Sequence, residues 1–359
     1  MVGTRPEAIK MAPVIKALRN SSAFQVTILA TAQHREMLDQ VFEHFDIIPD
    51  IDLNIMQNNQ TLYRLHARLI ERLTKVIGDL QPNIVLAQGD TTTVLAAALA
   101  AFYNHVCFGH IEAGLRSYNK FAPWPEEMNR VLVSHLTDIH FAPTKLSRQS
   151  LLLEGIPKSK IYVTGNTVID ALQWMIKRKL PMPINLPVKA RLILVTAHRR
   201  ENFGLPLQNI CQSLLSIVRM FEDVHIVYPV HPNPAVRRTV FSLLGAHKRI
   251  HLLKPLSYSE FVACMQRAWL IMTDSGGIQE EAPSLGKPVL VLRCVTERPE
   301  AVQAGTSILV GADKQKILNK VKGFLTNPKL LKAFKKKHNP YGNGKAAFQI
   351  RNILLNLKK

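Results

Sequence analysis

RAWLIMTDSGGIQEEAPSLGKPVLVLR, residues 267–293, is the stretch whose reading decides the fold. Trp269 to Met272 is an apolar run of strand length, and Thr273 to Gly277 punctuates it. Ile278 to Leu285 leaves room for one short helix before Gly286 and Pro288 stop it and a second apolar run begins at Val289. The unit reads strand, helix, strand. In an open parallel sheet such a turn lies at the carboxyl end of the strand, so the amides of Ser275, Gly276 and Gly277 are expected to point at an anion. Glu280, about one turn into the helix, is placed to accept hydrogen bonds from a hydroxyl pair beside that anion. The plainer alternative is that Asp274 caps an ordinary helix and the glycines make an ordinary turn.

The same alternation continues in both directions. Upstream, Val26 to Ala30, Ile84 to Ala87, Val106 to Phe108, Ile139 to Phe141 and Ile161 to Thr164 read as short buried strands with helices between them. Thr61 to Ile77 carries apolar residues at 62, 65, 69, 73 and 77 on one face. Leu192 to Thr196 and His225 to Tyr228 begin a second series that runs through the 267–293 unit. Continuous apolar strands, each followed by a helix, predict α/β architecture with parallel sheets covered on both faces. Between the two series, KLPMPINLPVKA at 179–190 holds three prolines and little helical pattern. The expected organisation is therefore a domain over 1–178, a linker over 179–190, a second domain over 191–344, and a helix over 345–359 that crosses back to the first.

Composition narrows the function classes. A chain of 359 residues, 47% of them hydrophobic, is long enough for two real cores and is not disordered. Its formal net charge of +20 admits nucleic acid, a membrane surface or an anionic small ligand. The late lysines at 314, 316, 320, 322, 329, 332 and 335–337 lack interleaved aromatics, so they predict a solvated helical face without specific nucleic-acid binding. Cys107, Cys211, Cys264 and Cys294 are widely spaced in apolar surroundings and read as reduced core thiols, and no metal-site spacing occurs. With no run of membrane-spanning length and no signal peptide, the expected location is the cytoplasm, without membrane insertion.

Three further clusters stand at strand ends. In GTRPEAIK (3–10), Arg5 opens a helix where a cation opposes the local dipole unless an anion is present, and Lys10 follows a turn later. Asp90 in QGDTTT, Glu112 in HIEAGLRS, and Glu126 with Glu127 in WPEEMNR are carboxylates at strand ends or helix starts. Each alone reads as a cap; gathered round one site they supply a general acid and a general base. His198, Arg199, Arg200 and Glu201 follow the strand at 192–196, and His231 follows the strand at 225–228. Without a local ligand pair, phosphate binding is the simpler account of these cations than a metal.

These motifs, with TAQHREMLDQ (31–40), TGNTVIDAL (164–172), TERPEAVQAGT (296–306) and HNPYGNG (338–344), resemble, in order and through nearly the whole chain, the non-hydrolysing UDP-N-acetylglucosamine 2-epimerases. The resemblance implies a glycosyltransferase-B type fold, two Rossmann-like domains facing across a cleft, usually as a homodimer. It implies reversible epimerisation of UDP-N-acetylglucosamine to UDP-N-acetylmannosamine by anti elimination of UDP and re-addition through 2-acetamidoglucal, for cell-envelope polysaccharide synthesis, with no cofactor or metal. Carried over by position, it places Asp90, Glu112 and Glu126 at the sugar as catalytic carboxylates. It places Arg5, Lys10 and His198 at the diphosphate, His198 also as a catalytic residue, Ser275 and Gly276 at phosphate and Glu280 at ribose, with Arg199 and Gly277 among the substrate-binding residues. Gln33, His34 and His231 fall in segments resembling an allosteric nucleotide-sugar site.

Family members have a full strand before GTRPE, where this sequence has Met1 and Val2. The expectation is a weaker sheet at that place and a less supported Arg5 loop. Two other readings use the same features: a glycosyltransferase of like architecture, which needs an acceptor, and a noncatalytic nucleotide-sugar or polyanion-binding protein, which binds without turnover.

Overall fold

The computed structural model describes residues 1–31, 35–55, 57 and 60–357. Two compact units share the chain: Met1–Trp174 with Tyr341–Lys359, and Met175–Pro340. In chain order the first contains α1 (Arg5–Arg19), β1 (Leu29–Ala30), α2 (Arg35–His44), β2 (Ile51–Asp52), α3 (Leu62–Leu80), β3 (Ile84–Gln88) and α4 (Thr92–Tyr103). It continues through β4 (Cys107–Ile111), α5 (Glu126–Leu136), β5 (Ile139–Ala142), α6 (Lys145–Leu153), β6 (Ile161–Val163) and α7 (Thr167–Ile176), whose last residues pass into the second unit. Residues 179–190 hold no helix or strand.

The second unit contains β7 (Arg191–Thr196), α8 (Leu205–Met220), β8 (Val224–Pro229), α9 (Pro234–Leu244), β9 (Ile250–Leu253), α10 (Tyr258–Arg267), β10 (Ala268–Thr273), α11 (Gly276–Glu281), β11 (Val289–Val291), α12 (Pro299–Gln303), β12 (Ser307–Leu309), α13 (Lys314–Thr326) and α14 (Pro328–Lys335). The last helix, α15 (Ala346–Leu357), belongs with the first unit: it packs on α1, and Asp170 of α7 accepts hydrogen bonds from its Ala346 and Ala347 amides.

Both units are parallel and doubly wound. The second has the order β12-β11-β10-β7-β8-β9, so the winding reverses between β7 and β10. An open α/β sheet leaves a crevice at the carboxyl ends of the two strands flanking such a reversal. Its core is aliphatic: Ile193, Val195, Ile226, Leu270 and Met272 from the strands, packed on Leu214 and Val218 of α8.

The first unit has β3-β4-β5-β6 in one sheet and β1-β2 in another. Val2 stands between them. It bridges Ala30 in parallel, donating to Leu29 O and accepting from Thr31 N, both at 2.9 Å, while the Met1 amino group donates to Leu86 O at 2.8 Å. The two-residue segment thus holds the central position, and its winding reversal falls against β3. Glycine is required next to it: a Cβ on Gly3 would lie 2.6 Å from Thr93 Oγ1 and 2.9 Å from Thr31 Oγ1.

The late lysines are exposed, as a solvated face requires. One expectation fails. Cys107, Cys211 and Cys264 are buried or half-buried, but Cys294 is exposed, because β11 ends at Val291 and the chain has already left the sheet. All four thiols are free. Among the described residues no helix is long and apolar enough to cross a membrane.

Candidate active site

In the first unit the predicted residues gather at the carboxyl ends of β3 and β4. Asp90 follows β3 past Gly89, whose φ of 91° turns the chain. Glu112 follows β4 at a φ of 67°, a left-handed conformation that costs a non-glycine residue free energy and that concentrates at functional sites. Its buried carboxylate takes Lys10 Nζ at 2.5 Å and Gln88 Nε2 at 2.8 Å. Lys10, expected at a diphosphate, therefore reaches from α1 to a catalytic-type carboxylate.

Asp90 is held from α5. Arg130 donates to Asp90 Oδ2 from Nε at 2.9 Å and Nη2 at 2.8 Å, and from Nη1 to Glu127 Oε2 at 3.0 Å. Asn129 Nδ2 donates to the Asp90 carbonyl at 2.8 Å. Glu127 is buried and also accepts from the Ser117 and Tyr118 amides, so it ties the 117–125 loop to the helix. Glu126, one residue earlier, is half-exposed at the helix start, one turn before Arg130. The adjacent acids thus divide between structure and solvent access.

Arg5 is half-buried at the first position of α1. Its loop is fastened by Glu7, whose Oε2 accepts from Gly3 N at 2.6 Å and Thr4 N at 2.8 Å, while Oε1 accepts from the Thr91 hydroxyl. Burial pushes the Glu7 pKa up, against those hydrogen bonds. Glu7 thereby joins the two loops of the winding reversal. A second tie lies beneath Asp90, where His110 Nε2 is 2.7 Å from the Gly89 carbonyl.

In the second unit the site is built on Asp274. The plainer alternative, that it caps a helix, does not hold: Ser275 is the N-cap of α11, and the Asp274 side chain turns instead toward the loop after β7. Fully buried, its Oδ2 accepts from His198 N at 2.8 Å, Arg199 N at 2.8 Å and Asn202 Nδ2 at 2.9 Å. This one carboxylate shapes the 198–202 turn and brings His198 and Arg199 beside α11. His198 stacks on His231, with ring centroids 5.2 Å apart and planes 6° from parallel.

Of the three amides expected to face an anion, Ser275 N is committed to Thr273 Oγ1 at 2.9 Å; Gly276 and Gly277 open the helix behind it. Glu280 is buried and ion-paired with Arg298, whose guanidinium also lies 3.5 Å from where a Gly276 Cβ would stand. Asn339 Nδ2 holds the Glu280 carbonyl at 2.7 Å. Arg298 is a site residue that the spacing of its motif did not reveal, although TERPEA contains it. Gln33 and His34 lie outside the described residues. Among the described residues no cluster of His, Cys, Asp or Glu is arranged to hold a metal ion.

A family model described as UDP-N-acetylglucosamine 2-epimerase matches residues 16–355. The UDP-N-acetylglucosamine 2-epimerase of Escherichia coli (strain K12) is 51% identical over 364 residues, covering 99% of this chain and 97% of that protein. The enzyme of the same name from Salmonella typhimurium is 50% identical, covering 98% of this chain and 96% of that protein. The crystal structure of UDP-GlcNAc 2-epimerase from Neisseria meningitidis bound to UDP-GlcNAc superposes with a TM-score of 0.91 at 48% identity, covering 99% of this chain and 98% of that one. On the length and identity of these matches, the chain belongs to the UDP-N-acetylglucosamine 2-epimerase family.

Proposed function

We propose that this chain interconverts UDP-N-acetylglucosamine and UDP-N-acetylmannosamine by anti elimination of UDP and re-addition across 2-acetamidoglucal. The observation that carries the reading is the division of chemistry between two winding reversals. One carries carboxylates and their cations, the other a histidine, a glycine-opened helix and a buried glutamate. C2 of the sugar bears a hydrogen of very low acidity, so breaking that bond requires a positioned base and relief of charge on the departing diphosphate.

Asp90, Glu112 and Glu126 share proton removal and return on opposite faces of C2. Arg130 and Lys10 orient the first two, and the left-handed backbone at Glu112 aims its side chain. Arg5, His198 and Arg199 receive the diphosphate, Gly276 and Gly277 receive phosphate with Ser275 at the helix cap, and Glu280, braced by Arg298, receives ribose hydroxyls. The reading extends to a fold of the glycosyltransferase-B type and to a cytoplasmic homodimer with a nucleotide-sugar effector near His231, supported by the motif resemblance.

Incubation with UDP-N-acetylglucosamine and no acceptor tests the reaction. Separation of the UDP-sugars by anion exchange should show both epimers at equilibrium from either starting side. Unchanged substrate would overturn the reading, and tight UDP binding without conversion would leave a nucleotide-sugar-binding protein in its place.

A further inference from the structure

We propose that His198 takes up a proton as the nucleotide diphosphate arrives, and that Asp274 is the positioning residue that holds the imidazole ready for it. The inference rests on the reading that His198 faces the diphosphate. Asp274 lies at the carboxyl end of β10 with no solvent exposure, and its two oxygens are unequal. Oδ2 is saturated by three donors from the 198–202 turn. Oδ1 makes no hydrogen bond of ordinary geometry and faces His198 Nδ1 at 3.3 Å. A buried carboxylate oxygen without a donor is costly, and a small rotation of the His198 ring would supply one.

The tautomer follows. With Nδ1–H directed at Asp274, the atom left for a ligand is Nε2, which in the neutral ring is a lone-pair acceptor and repels phosphate oxygens. Protonation turns Nε2 into a charged donor while the Nδ1 contact to Asp274 strengthens. The groups facing the ring come from three places: Asp274 from β10, His231 from the segment after β8, and Arg199 from its own loop. His231 accepts the Asn233 amide at Nδ1, 3.2 Å away, which places the proton of its neutral ring on Nε2.

In the unliganded site burial pushes the His198 pKa below its ordinary value; Asp274 pulls it up, and His231 and Arg199 push it down again. The ring is thus neutral near pH 7 until a diphosphate adds negative charge at Nε2. The uptake places a cation where charge grows as UDP departs, and the proton is returned when the product leaves.

Calorimetric titration with UDP tests this, in buffers of different ionisation enthalpy at about pH 8, where a terminal phosphate with a second pKa of about 6 is already fully ionised. The observed enthalpy should vary with that of the buffer, with a slope that reports net proton uptake on UDP binding. His198→Gln should abolish the slope and weaken UDP binding, and Asp274→Asn should reduce both. Should Asp274→Asn fail to fold, nitrogen-edited NMR of the unsubstituted protein carries the test: the histidine signal missing in His198→Gln should change from neutral to imidazolium on UDP addition. A buffer-independent enthalpy, or a slope that survives in His198→Gln, overturns the proposal. If His198→Gln binds UDP as tightly as the parent, the diphosphate placement itself falls; if it binds weakly but no proton moves in the parent, only this inference falls.

Discussion

His110 and His140 are register partners on β4 and β5, and they should make the first unit sensitive to mild acid. Neither ring nitrogen of His140 has a hydrogen-bond partner of ordinary geometry, with only a loose approach to the Thr137 backbone. Burial, then the neighbouring His110, Lys160 and Arg116, lowers its pKa to about 3; burial is also the largest cause for His110, at about 4. An unfolded histidine titrates near 6.5, so below that value the unfolded chain binds protons that the folded one refuses. Stability then falls with pH until the folded values are reached. At pH 5 the difference is about 1.5 units for each ring, or about 2 kcal/mol each at about 1.4 kcal/mol per unit, and about 4 kcal/mol together. His140→Leu removes one of these terms and forfeits no well-made hydrogen bond. Urea unfolding followed by circular dichroism at about pH 7.5 and 5 should show the pH-dependent loss for the first unit smaller by about 2 kcal/mol in the variant. Equal losses in parent and variant would refute the assignment of acid sensitivity to this buried pair.

The catalytic carboxylates give a second expectation. Asp90→Asn, Glu112→Gln and Glu126→Gln should each lower kcat by roughly 100-fold or more while UDP affinity, read by calorimetry, changes only a few-fold. A variant slow in proton return should also release free UDP and the unsaturated sugar, detectable by chromatography. Arg298→Met leaves Glu280 buried without its cation, so UDP affinity should fall by roughly tenfold or more; an unchanged Kd would show that Glu280 is not the ribose holder.

What the sequence made legible follows from the range of the forces involved. Strands flanked by steady apolar runs, such as Leu192 to Thr196 and Trp269 to Met272, were readable because burial on both faces demands that pattern. β2, β9 and β12 were not: they are short strands at sheet edges whose residues are mostly half-buried or exposed, so their apolar residues are few and do not stand out. The carboxylates and cations were legible as residue types at strand ends. Their pairing was not, because Lys10 meets Glu112 across 102 positions and Arg130 meets Asp90 across 40. Asp274 illustrates the limit most clearly. Its place before a glycine-opened helix has the local form of a cap, and only His198, 76 residues earlier in the loop after β7, shows why its carboxylate turns away from the helix.

The most direct measurement of the central claim is proton NMR of the purified chain with UDP-N-acetylglucosamine in deuterated water. Elimination and re-addition through separate carboxylates predicts accumulation of UDP-N-acetylmannosamine with deuterium at C2, and progressive loss of the C2 proton signal from the remaining substrate as the reaction reverses. No mannosamine product, or product that keeps its original C2 hydrogen after many turnovers, would contradict the account.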